Sequence, residues 1–438
     1  MTIFEQRTLY LYKVTQMEAS FYANNRQQLS NVIGNKAIAL FHSNTEQIRS
    51  ADQLFPFRQN SNILYFTGIE QPETWLLLCP GHKDAAFREI IFSRRPTQHQ
   101  QLWNGPTTEL QDIARISGVQ HCLYTDELEE ILKSIVVQTD EFYIDTAENE
   151  IVNISANSSI GKWIEIAKQL QHKIVIESLV PLVASLRCVK SEAEIEQIRN
   201  ACNLARDAFF KFLPIIKPGN YEYQVRAAIV GSFLAAGATG ESFETIAASG
   251  KNACILHYCA NKSKMSEGEL LLVDYGAELQ NYTSDVTRTF PVSGKFNQRQ
   301  RELYKATLRV MQQVEHLFVA GNSITHINHE IGLIWEVEHI NLGLYTSNQA
   351  RKAEIPLWKK YFPHGVSHFM GMDVHDIGSR DEIFVPGMVV TIEPGIYIPE
   401  EGIGIRLEND LLITKGHPEN LTRDIPIELE EIEDLMEE

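Results

Sequence analysis

Two acidic residues in the second half of the sequence occupy positions where a carboxylate needs a partner. Asp274 ends the apolar run Leu270–Val273, which is typical of a buried strand. Asp285 follows inside the run Tyr282–Pro291, and a turn near Glu278–Asn281 would bring the two aspartates together. Because an unpaired buried charge is very costly, we expect each aspartate to bind a cation, pair with an arginine or cap a turn.

The same pattern recurs nearer the C-terminus. Glu393 ends the apolar run Met388–Ile392, and Glu408 lies in the run Gly404–Thr414, where it shares a strand face with Arg406. Carboxylates that converge repel one another unless they share protons or a cation neutralises them. Four such residues therefore favour a divalent metal site.

Histidines accompany these acids. His364, His368 and His375 lie close together in a segment that also contains glycines. Imidazole binds a metal through one ring nitrogen, while the other nitrogen usually bonds a carboxylate or a carbonyl. His257 stands alone, and a lone histidine is equally compatible with an ordinary core or surface position.

A set of four carboxylates and one histidine offers mostly oxygen ligands. Structural zinc prefers Cys and His, whereas this set suits Mn²⁺, Co²⁺, Fe²⁺ or Zn²⁺, with Mn²⁺ favoured by its preference for hard ligands. Bridging carboxylates allow two ions about 3.5–4 Å apart, and a water between them becomes a nucleophile near neutral pH. The remaining histidines could donate to the oxyanion that forms at a scissile carbonyl. The residues thus predict a hydrolase that uses two divalent ions.

The elements before residue 180 alternate between short apolar runs and helical patterns. The predicted strands are Ala37–Phe41, Ile63–Phe66, Trp75–Cys79, Glu89–Phe92, Phe142–Ile144 and Lys173–Ile176, and the predicted helices include Glu5–Ile33 and Ile160–Gln171. This alternation predicts that residues 1–180 form an N-terminal α/β domain with a mixed or parallel sheet.

Residues 181–438 have a different character. Ser191 and Glu194 form a capping box that opens a helix. The predicted helices run from Ser191 to about Leu213 and over Tyr221–Ala236, Gln298–Val319 and Thr325–Leu342, and the predicted strands are Glu269–Asp274, Tyr282–Pro291, Met388–Glu393 and Gly404–Thr414. We predict a second, α+β domain in which helices cover an antiparallel sheet.

Composition narrows the function further. The 438 residues include 57 Asp and Glu against 39 Lys and Arg, and the resulting charge of −18 argues against nucleic acid or an anionic membrane as the main partner. The six cysteines contain no C-x-x-C pair, as expected for free thiols in a reducing compartment. Met1–Tyr12 lacks the core of a signal peptide, and no apolar run approaches a membrane span. We therefore predict a cytoplasmic enzyme.

The motifs resemble those of the pita-bread metallopeptidases, and most of all the aminopeptidase P (Xaa-Pro aminopeptidase) family. The resemblance rests on Val273–Gly276, Ser284–Phe290, His364–Asp376, Thr391–Gly395 and Arg406–Asn409, with weaker similarity of Phe57–Gly68 to the family's first domain. It implies a pita-bread fold for the second domain and release of the N-terminal residue from peptides with proline at the second position. An X-Pro bond needs a dedicated pocket, because proline fixes φ and removes the amide hydrogen.

The resemblance also implies roles for the metal-binding residues. Asp274 would chelate one ion, and Asp285 and Glu408 would bridge both. His368 and Glu393 would complete the other ion's sphere. Glu393 would also carry a proton from the bridging water to the leaving proline nitrogen.

Further roles follow from the same resemblance. His257 and His375 would bind the peptide and steady the tetrahedral intermediate, and His364 would help to line the proline subsite. Arg406 and Tyr397 match positions near the metals and the proline pocket.

Oligomerisation and loop length depend on the resemblance as well. The family implies a homodimer or homotetramer in which a tryptophan from a neighbouring subunit reaches the site, and Trp103 is its counterpart here. The segments on either side of Glu393 are short for the family, so a loop arginine is either replaced by Arg380 or missing.

Other functions remain open from sequence. A prolidase-type Xaa-Pro dipeptidase shares the ligands, although Ser367 before His368 favours aminopeptidase P. Methionine aminopeptidase usually lacks a first domain of this size, and creatinase lacks the metal ligands. From another class, the chain could be a metal-free peptide-binding pseudoenzyme, against which the complete ligand set argues.

Overall fold

A computed structural model describes residues 17–146 and 158–437. The described residues form two compact units, and the division falls between Leu186 and Arg187. The boundary near residue 180 stays a prediction. Within the described ranges, no helix has the length and apolar character needed to cross a membrane.

The N-terminal unit is built on a six-stranded mixed sheet. The strands of this unit are β1 (Ala37–His42), β2 (Ile48–Ser50), β3 (Gln53–Leu54), β4 (Trp75–Leu78), β5 (Glu89–Ser93), β6 (His121–Tyr124), β7 (Glu141–Ile144) and β8 (Val175–Ser178). In the order β6-β5-β4-β1-β7-β8, β1 pairs antiparallel with β4 and parallel with β7. The prediction of an α/β domain with a mixed sheet is therefore confirmed.

Helices alternate with these strands along the chain. They are Ala19–Ile33, Ser61–Thr67, Gln98–Asn104, Leu110–Ser117, Leu128–Val136, Ser159–Leu170 and Val180–Cys188. Buried Leu40, Leu77 and Phe92 from the strands share one core with Leu132 and Ile164 from two of the helices. Of the helix predicted over residues 5–33, the part before residue 17 lies outside the described residues.

One predicted strand of this unit is wrong, because Ile63–Phe66 lies in the helix Ser61–Thr67. The Asn60 side chain accepts hydrogen bonds from the backbone N–H groups of Asn62 and Ile63, at 2.8 and 3.2 Å, and so caps the helix. Gly68 ends the helix at φ 71°. Six of its seven residues are buried, so the sequence carries no helical periodicity to distinguish it from a buried strand.

The C-terminal unit contains antiparallel sheets. Its strands are β9 (Gly240–Glu241), β10 (Ile246–Ser249), β11 (Leu270–Tyr275), β12 (Ala277–Leu279), β13 (Tyr282–Thr283), β14 (Val286–Pro291), β15 (Val389–Ile392), β16 (Gly395–Ile398), β17 (Ile403–Arg406), β18 (Asn409–Leu412) and β19 (Glu419–Asn420). The sheets are β10-β11-β14, β13-β12-β9, β15-β18-β19 and β16-β17.

Helices cover these sheets, as predicted for an α+β domain. They are Glu192–Phe212, Glu222–Ala235, Gln298–Glu315, Ile324–Asn341, Ser347–Lys352, Trp358–Tyr361 and Leu429–Glu437. The first begins at the predicted capping box, in which Glu194 Oε2 accepts from the Ser191 N–H at 2.8 Å. Its buried Phe209 and Phe212 pack against Phe290 of β14.

Two predicted strands of this unit are each broken in the middle. The run Tyr282–Pro291 divides into β13, which pairs with β12, and β14, which pairs with β11. The run Gly404–Thr414 divides into β17, which pairs with β16, and β18, which pairs with β15. Asp285 and Glu408 lie at these two breaks, where the chain passes from one sheet to another.

The Asn60 cap can be tested directly. Asn60→Ala should lower the free energy of unfolding of the N-terminal unit by about 1 kcal/mol, because two backbone N–H groups lose their acceptor. Urea unfolding followed by a probe in this unit measures the loss. Asn60→Asp replaces the amide oxygen with a carboxylate oxygen that can accept the same two hydrogen bonds, and it should unfold like the wild type. Equal stability of all three proteins would contradict the role of the cap.

Candidate metal centre and active site

A cavity of about 650 Å³ in the C-terminal unit gathers most of the residues selected from the sequence. Its lining includes His257, Asp274, Asp285, His364, His368, His375, Arg380, Glu393, Arg406 and Glu408. Tyr397 is buried and bonds two residues of that set. Trp103 belongs to the N-terminal unit, where it is 72% exposed, and its reach into a neighbouring subunit's site stays a prediction.

The two aspartates are held by the strands around them. Asp274 lies within β11, opposite Thr287 of β14. Asp285 sits in the break between β13 and β14, where its N–H donates to Asp410 Oδ2 at 3.0 Å. This bond occupies a backbone group that has no sheet partner at the break, so it fixes the direction in which the Asp285 side chain leaves the chain.

The two glutamates also lie between strands. Glu393 connects β15 to β16, and its N–H donates to the Val366 carbonyl at 2.9 Å. Glu408 connects β17 to β18, and its N–H donates to the Thr287 carbonyl at 3.1 Å. The Thr287 hydroxyl donates in turn to Glu408 Oε2 at 2.6 Å. Each glutamate is therefore anchored through its backbone before its carboxylate reaches the cavity.

His368 is oriented by a backbone carbonyl. Its Nδ1 lies 3.0 Å from the Phe369 carbonyl oxygen. Because a carbonyl only accepts, Nδ1 carries the hydrogen and the lone pair is on Nε2. That Nε2 lies 3.4 Å from Asp285 Oδ2 and 4.0 Å from Glu393 Oε1. Three acceptors thus face one another with no donor between them.

The donor set fits a divalent cation. Ligand-type atoms of Asp285, His368 and Glu408 all lie within 4.8 Å of one another. Asp274 Oδ1 is buried and has no hydrogen-bond partner among the described residues, although Oδ2 accepts from Arg406. A buried oxygen without a donor is costly unless a cation binds it. These residues are therefore suited to hold metal.

Burial changes the acidity of the cluster. It is the main reason that the pKa values of Asp285 and Glu408 lie well above the ordinary carboxyl range, and the charges of neighbouring carboxylates raise them further. Burial and the charge of Asp274 raise the pKa of Glu393 to about 8, against the opposing effect of Arg406 and Arg380. Burial also lowers the pKa of His368 to about 4. Without a cation, the folded chain therefore favours protonated carboxyls and a neutral imidazole.

A chain of hydrogen bonds runs from Asp274 through Arg406 and Tyr397 to His364. Arg406 Nη2 donates to Asp274 Oδ2 at 2.6 Å, and Arg406 Nη1 donates to the Tyr397 hydroxyl at 2.9 Å. His364 Nδ1 lies 2.7 Å from the Gly365 carbonyl, so its Nε2 accepts from the Tyr397 hydroxyl at 2.8 Å. The guanidinium and the phenol together fix the ring of His364 at the wall of the cavity.

His257 and His375 are exposed and lie at the rim of the cavity. The rings of His368 and His375 are 4.3 Å apart in an edge-to-face arrangement. Beside His375, buried Asp376 accepts from Arg187 Nη2 at 2.5 Å and from Lys190 Nζ at 3.2 Å. This ion-pair network holds the segment that carries His375.

Sequence reasoning missed several residues that support the site. Asp410 accepts a hydrogen bond from the Asp285 N–H, and Arg187 and Lys190 form ion pairs with Asp376. A signal for Asp410 exists in the sequence, because it follows Glu408 by two positions in an apolar run. For Arg187 and Lys190 the sequence offers no signal, since their partner lies almost 190 positions away.

Comparison with known proteins agrees with this geometry. Residues 196–415 match metallopeptidase family M24, and residues 22–143 match the aminopeptidase P N-terminal domain. The chain is 34% identical to an Xaa-Pro aminopeptidase of Escherichia coli K12, over 97% of this chain and 99% of that protein. It is 31% identical to Xaa-Pro aminopeptidase 3 of Homo sapiens, over 94% and 85%.

Solved structures give the same result. The chain superposes on E. coli aminopeptidase P with the inhibitor Pro-Leu at a TM-score of 0.86 and 33% identity, over 96% of this chain and 99% of that one. An E. coli aminopeptidase P variant in complex with substrate gives a TM-score of 0.87 at 32% identity, with the same coverage. The predicted pita-bread fold is confirmed, and the chain belongs to metallopeptidase family M24, with the N-terminal domain of aminopeptidase P.

The raised carboxyl pKa values predict how the metal-free protein responds to pH. Carboxyls that are protonated when folded release protons on unfolding, whereas His364 and His368, whose pKa values burial lowers, take up protons on unfolding below their ordinary value of about 6.5. The stability of metal-free protein should therefore fall as pH rises from about 7 to above 8, where the histidines are neutral in both states. Scanning calorimetry across this range should show a falling Tm, a smaller fall with Mn²⁺ present, and a smaller fall in Glu393→Gln. A Tm that rises with pH would contradict the protonation of the cluster.

The network beside His375 predicts a loss of stability. Arg187→Met leaves the buried Asp376 carboxylate with Lys190 as its remaining charged partner and the Ile377 N–H as a neutral donor, and it should cost about 3–5 kcal/mol in the free energy of unfolding. Arg423→Met is the matched control, because Arg423 is 73% exposed at its side chain and 3.8 Å from Asp424, and it should cost under about 1 kcal/mol. Urea denaturation compares the free energies of unfolding of the two variants. Similar losses would show that the buried network stabilises the fold no more than an exposed ion pair does.

Proposed function

We propose that the chain is a dinuclear-metal Xaa-Pro aminopeptidase, which releases the N-terminal residue from peptides with proline at the second position. The observation that carries the proposal is the convergence of ligand-type atoms of Asp285, His368 and Glu408 within 4.8 Å at the wall of an open cavity. Near full-length similarity to proteins named Xaa-Pro aminopeptidase supports the choice of reaction.

Asp274, Asp285, His368, Glu393 and Glu408 would hold the two ions. When bound, the ions would polarise the scissile carbonyl and lower the pKa of a water molecule to near 7. We propose Mn²⁺ because four of the five ligands are carboxylates, with Co²⁺, Zn²⁺ and Fe²⁺ as alternatives.

The chain's own groups would handle the proton and the peptide. Glu393, whose pKa burial raises to about 8 in the absence of metal, is suited to accept a proton and to pass it to the departing proline nitrogen. His257 and His375 would donate to the peptide carbonyl as its oxygen gains negative charge. His364, oriented by Tyr397 and Arg406, would bind beside the proline ring, and Arg380 would contribute positive charge at the rim.

Partners and location are part of the proposal. The peptide is the main partner, with neither nucleic acid nor membrane required, and the acidic charge of −18 supports this. All six cysteines are free thiols, which supports a reducing compartment such as the cytoplasm. A homodimer or homotetramer, with Trp103 reaching a neighbouring site, is proposed from the family resemblance.

Substrate specificity can be tested with matched peptides. Metal-loaded protein should cleave an Xaa-Pro-Xaa tripeptide, cleave the dipeptide Xaa-Pro much more slowly, and leave Xaa-Ala-Xaa largely intact. Chelation should abolish cleavage, and added Mn²⁺ should restore it. Faster turnover of the dipeptide would instead identify a prolidase-type enzyme. No cleavage of any peptide by protein with bound metal would overturn the proposal.

The metal role of Asp285 can be tested separately. Asp285→Asn should lower activity by more than the about 10–100-fold typical of residues that only support a ligand, because it removes a ligand charge. It should also reduce the number of Mn²⁺ ions bound, measured by elemental analysis. Asp434→Asn, an exposed acid in the same unit, is the control and should change neither quantity. Wild-type metal content and turnover in Asp285→Asn would exclude Asp285 as a ligand.

A further inference from the structure

His257 lies on a long connection between β10 and β11. The connection begins with a short 3-10 turn, Gly250–Cys254, and then runs without helix or strand past His257. His257 and the nearby Ile255 are exposed. A side chain on such a segment needs fixed points in the backbone around it if it is to act at a defined position in the cavity.

A buried carboxylate supplies these fixed points. Glu222 is fully buried at the first turn of the helix Glu222–Ala235. Its Oε1 accepts from the N–H and hydroxyl of Ser249, both at 2.7 Å, and from Asn252 Nδ2 at 3.0 Å. Its Oε2 accepts from the Tyr258 hydroxyl and the Ser263 N–H, both at 2.8 Å. One side chain thus binds the connection at three places: at its beginning, beside His257 and at Ser263.

The connection has a second attachment at Asn261. Buried Asn261, in the left-handed region at φ 46°, accepts from the Ala247 N–H at 2.8 Å and donates to the Thr245 carbonyl at 2.8 Å. These bonds tie the returning part of the connection to β10. Tyr258 is adjacent to His257 in the sequence. The hydroxyl of Tyr258 therefore links the chain beside His257 directly to Glu222.

We propose that Glu222 is a positioning residue for His257: its carboxylate, chiefly through Tyr258, holds the His257 backbone so that the imidazole faces the cavity. The inference rests on the proposed function, because it assigns a catalytic consequence to the position of His257. A carboxylate suits this task because an ionised one only accepts hydrogen bonds and can satisfy several donors at once. At a helix N-terminus its negative charge is also favoured by the helix dipole.

The experiment is a double-mutant cycle on the metal-loaded, full-length protein with a Xaa-Pro-Xaa tripeptide. Tyr258→Phe removes the link beside His257, together with a longer 3.4 Å contact between the Tyr258 and Ser263 hydroxyls, and leaves the other bonds of Glu222 in place. It should lower kcat on the order of 10-fold, because small displacements of an acting group are costly. Glu222→Gln should lower it further, since its amide places a donor against donors. Tyr223→Phe is the matched control, because its half-exposed ring stacks on Tyr221 outside the network, and it should retain wild-type kcat.

The decisive comparison is made in the His257→Ala background. If Glu222 acts through His257, Tyr258→Phe and Glu222→Gln should each change the remaining kcat by less than about 2-fold there. If each variant causes the same loss with and without His257, the inference is overturned while the proposed function stands. Should Glu222→Gln fail to fold, the Tyr258→Phe cycle decides alone.

A second readout does not depend on metal or activity. Hydrogen exchange in metal-free protein should be faster over residues 250–263 in Tyr258→Phe than in wild type or Tyr223→Phe, and unchanged in the helices. Unchanged exchange in that segment would overturn the inference. Wild-type protein that binds metal and cleaves no peptide would overturn the proposed function and the catalytic consequence together, whereas the exchange result would still report the tether itself.

Discussion

The main physical constraint on the C-terminal unit is the cost of burying four carboxylates in one cavity. Removing a charged carboxylate from water is unfavourable, and placing several together adds repulsion. The fold offsets part of this cost with fixed donors: Arg406 binds Asp274, and Thr287 binds Glu408. Among the described residues no donor reaches Asp274 Oδ1, and Asp285 Oδ2 faces Nε2 of His368 at 3.4 Å, so the cost of burial that remains must be offset by protons or by cations. This arrangement of acceptors is suited to a divalent cation.

The backbone makes this arrangement rigid. Asp285, Glu393 and Glu408 all lie where the chain leaves one strand and enters another, and the N–H of each is bonded to a neighbouring segment. A break in a strand frees the backbone from sheet geometry and lets a side chain turn toward the cavity. The hydrogen bonds of these three N–H groups hold the backbone in one conformation at each break. These proposed metal-binding residues are therefore held in position by the fold itself, which would limit the reorganisation required on binding an ion.

Much of this could be predicted from the sequence, for identifiable reasons. Asp274 and Glu393 end apolar runs, and the segments from Ser284 and His364 onward carry motifs, so their elements and their chemistry were accessible. The strand breaks at Asp285 and Glu408 were not, because the apolar pattern continues through both positions. The helix containing Ile63 was also missed, since burial on all sides removes the periodicity that distinguishes helix from strand.

Residues that support the site from a distance in sequence could not be inferred either. Glu222 lies 27 positions before Ser249 and 41 before Ser263, and only the folded chain brings them together. In the sequence, Glu222 is an unremarkable acid in the first turn of a predicted helix. Its partners are common polar residues with no shared motif, so their relation is a property of the tertiary structure.

The order of the proposed metal-binding residues along the chain has a consequence for co-translational folding. Asp274 precedes Glu408 and its supporting neighbour Asp410 by more than 130 positions. A nascent polypeptide therefore cannot assemble the whole cluster until Glu408 and Asp410 have left the ribosome. A translation product that ends before Glu408 would carry an incomplete set of these carboxylates.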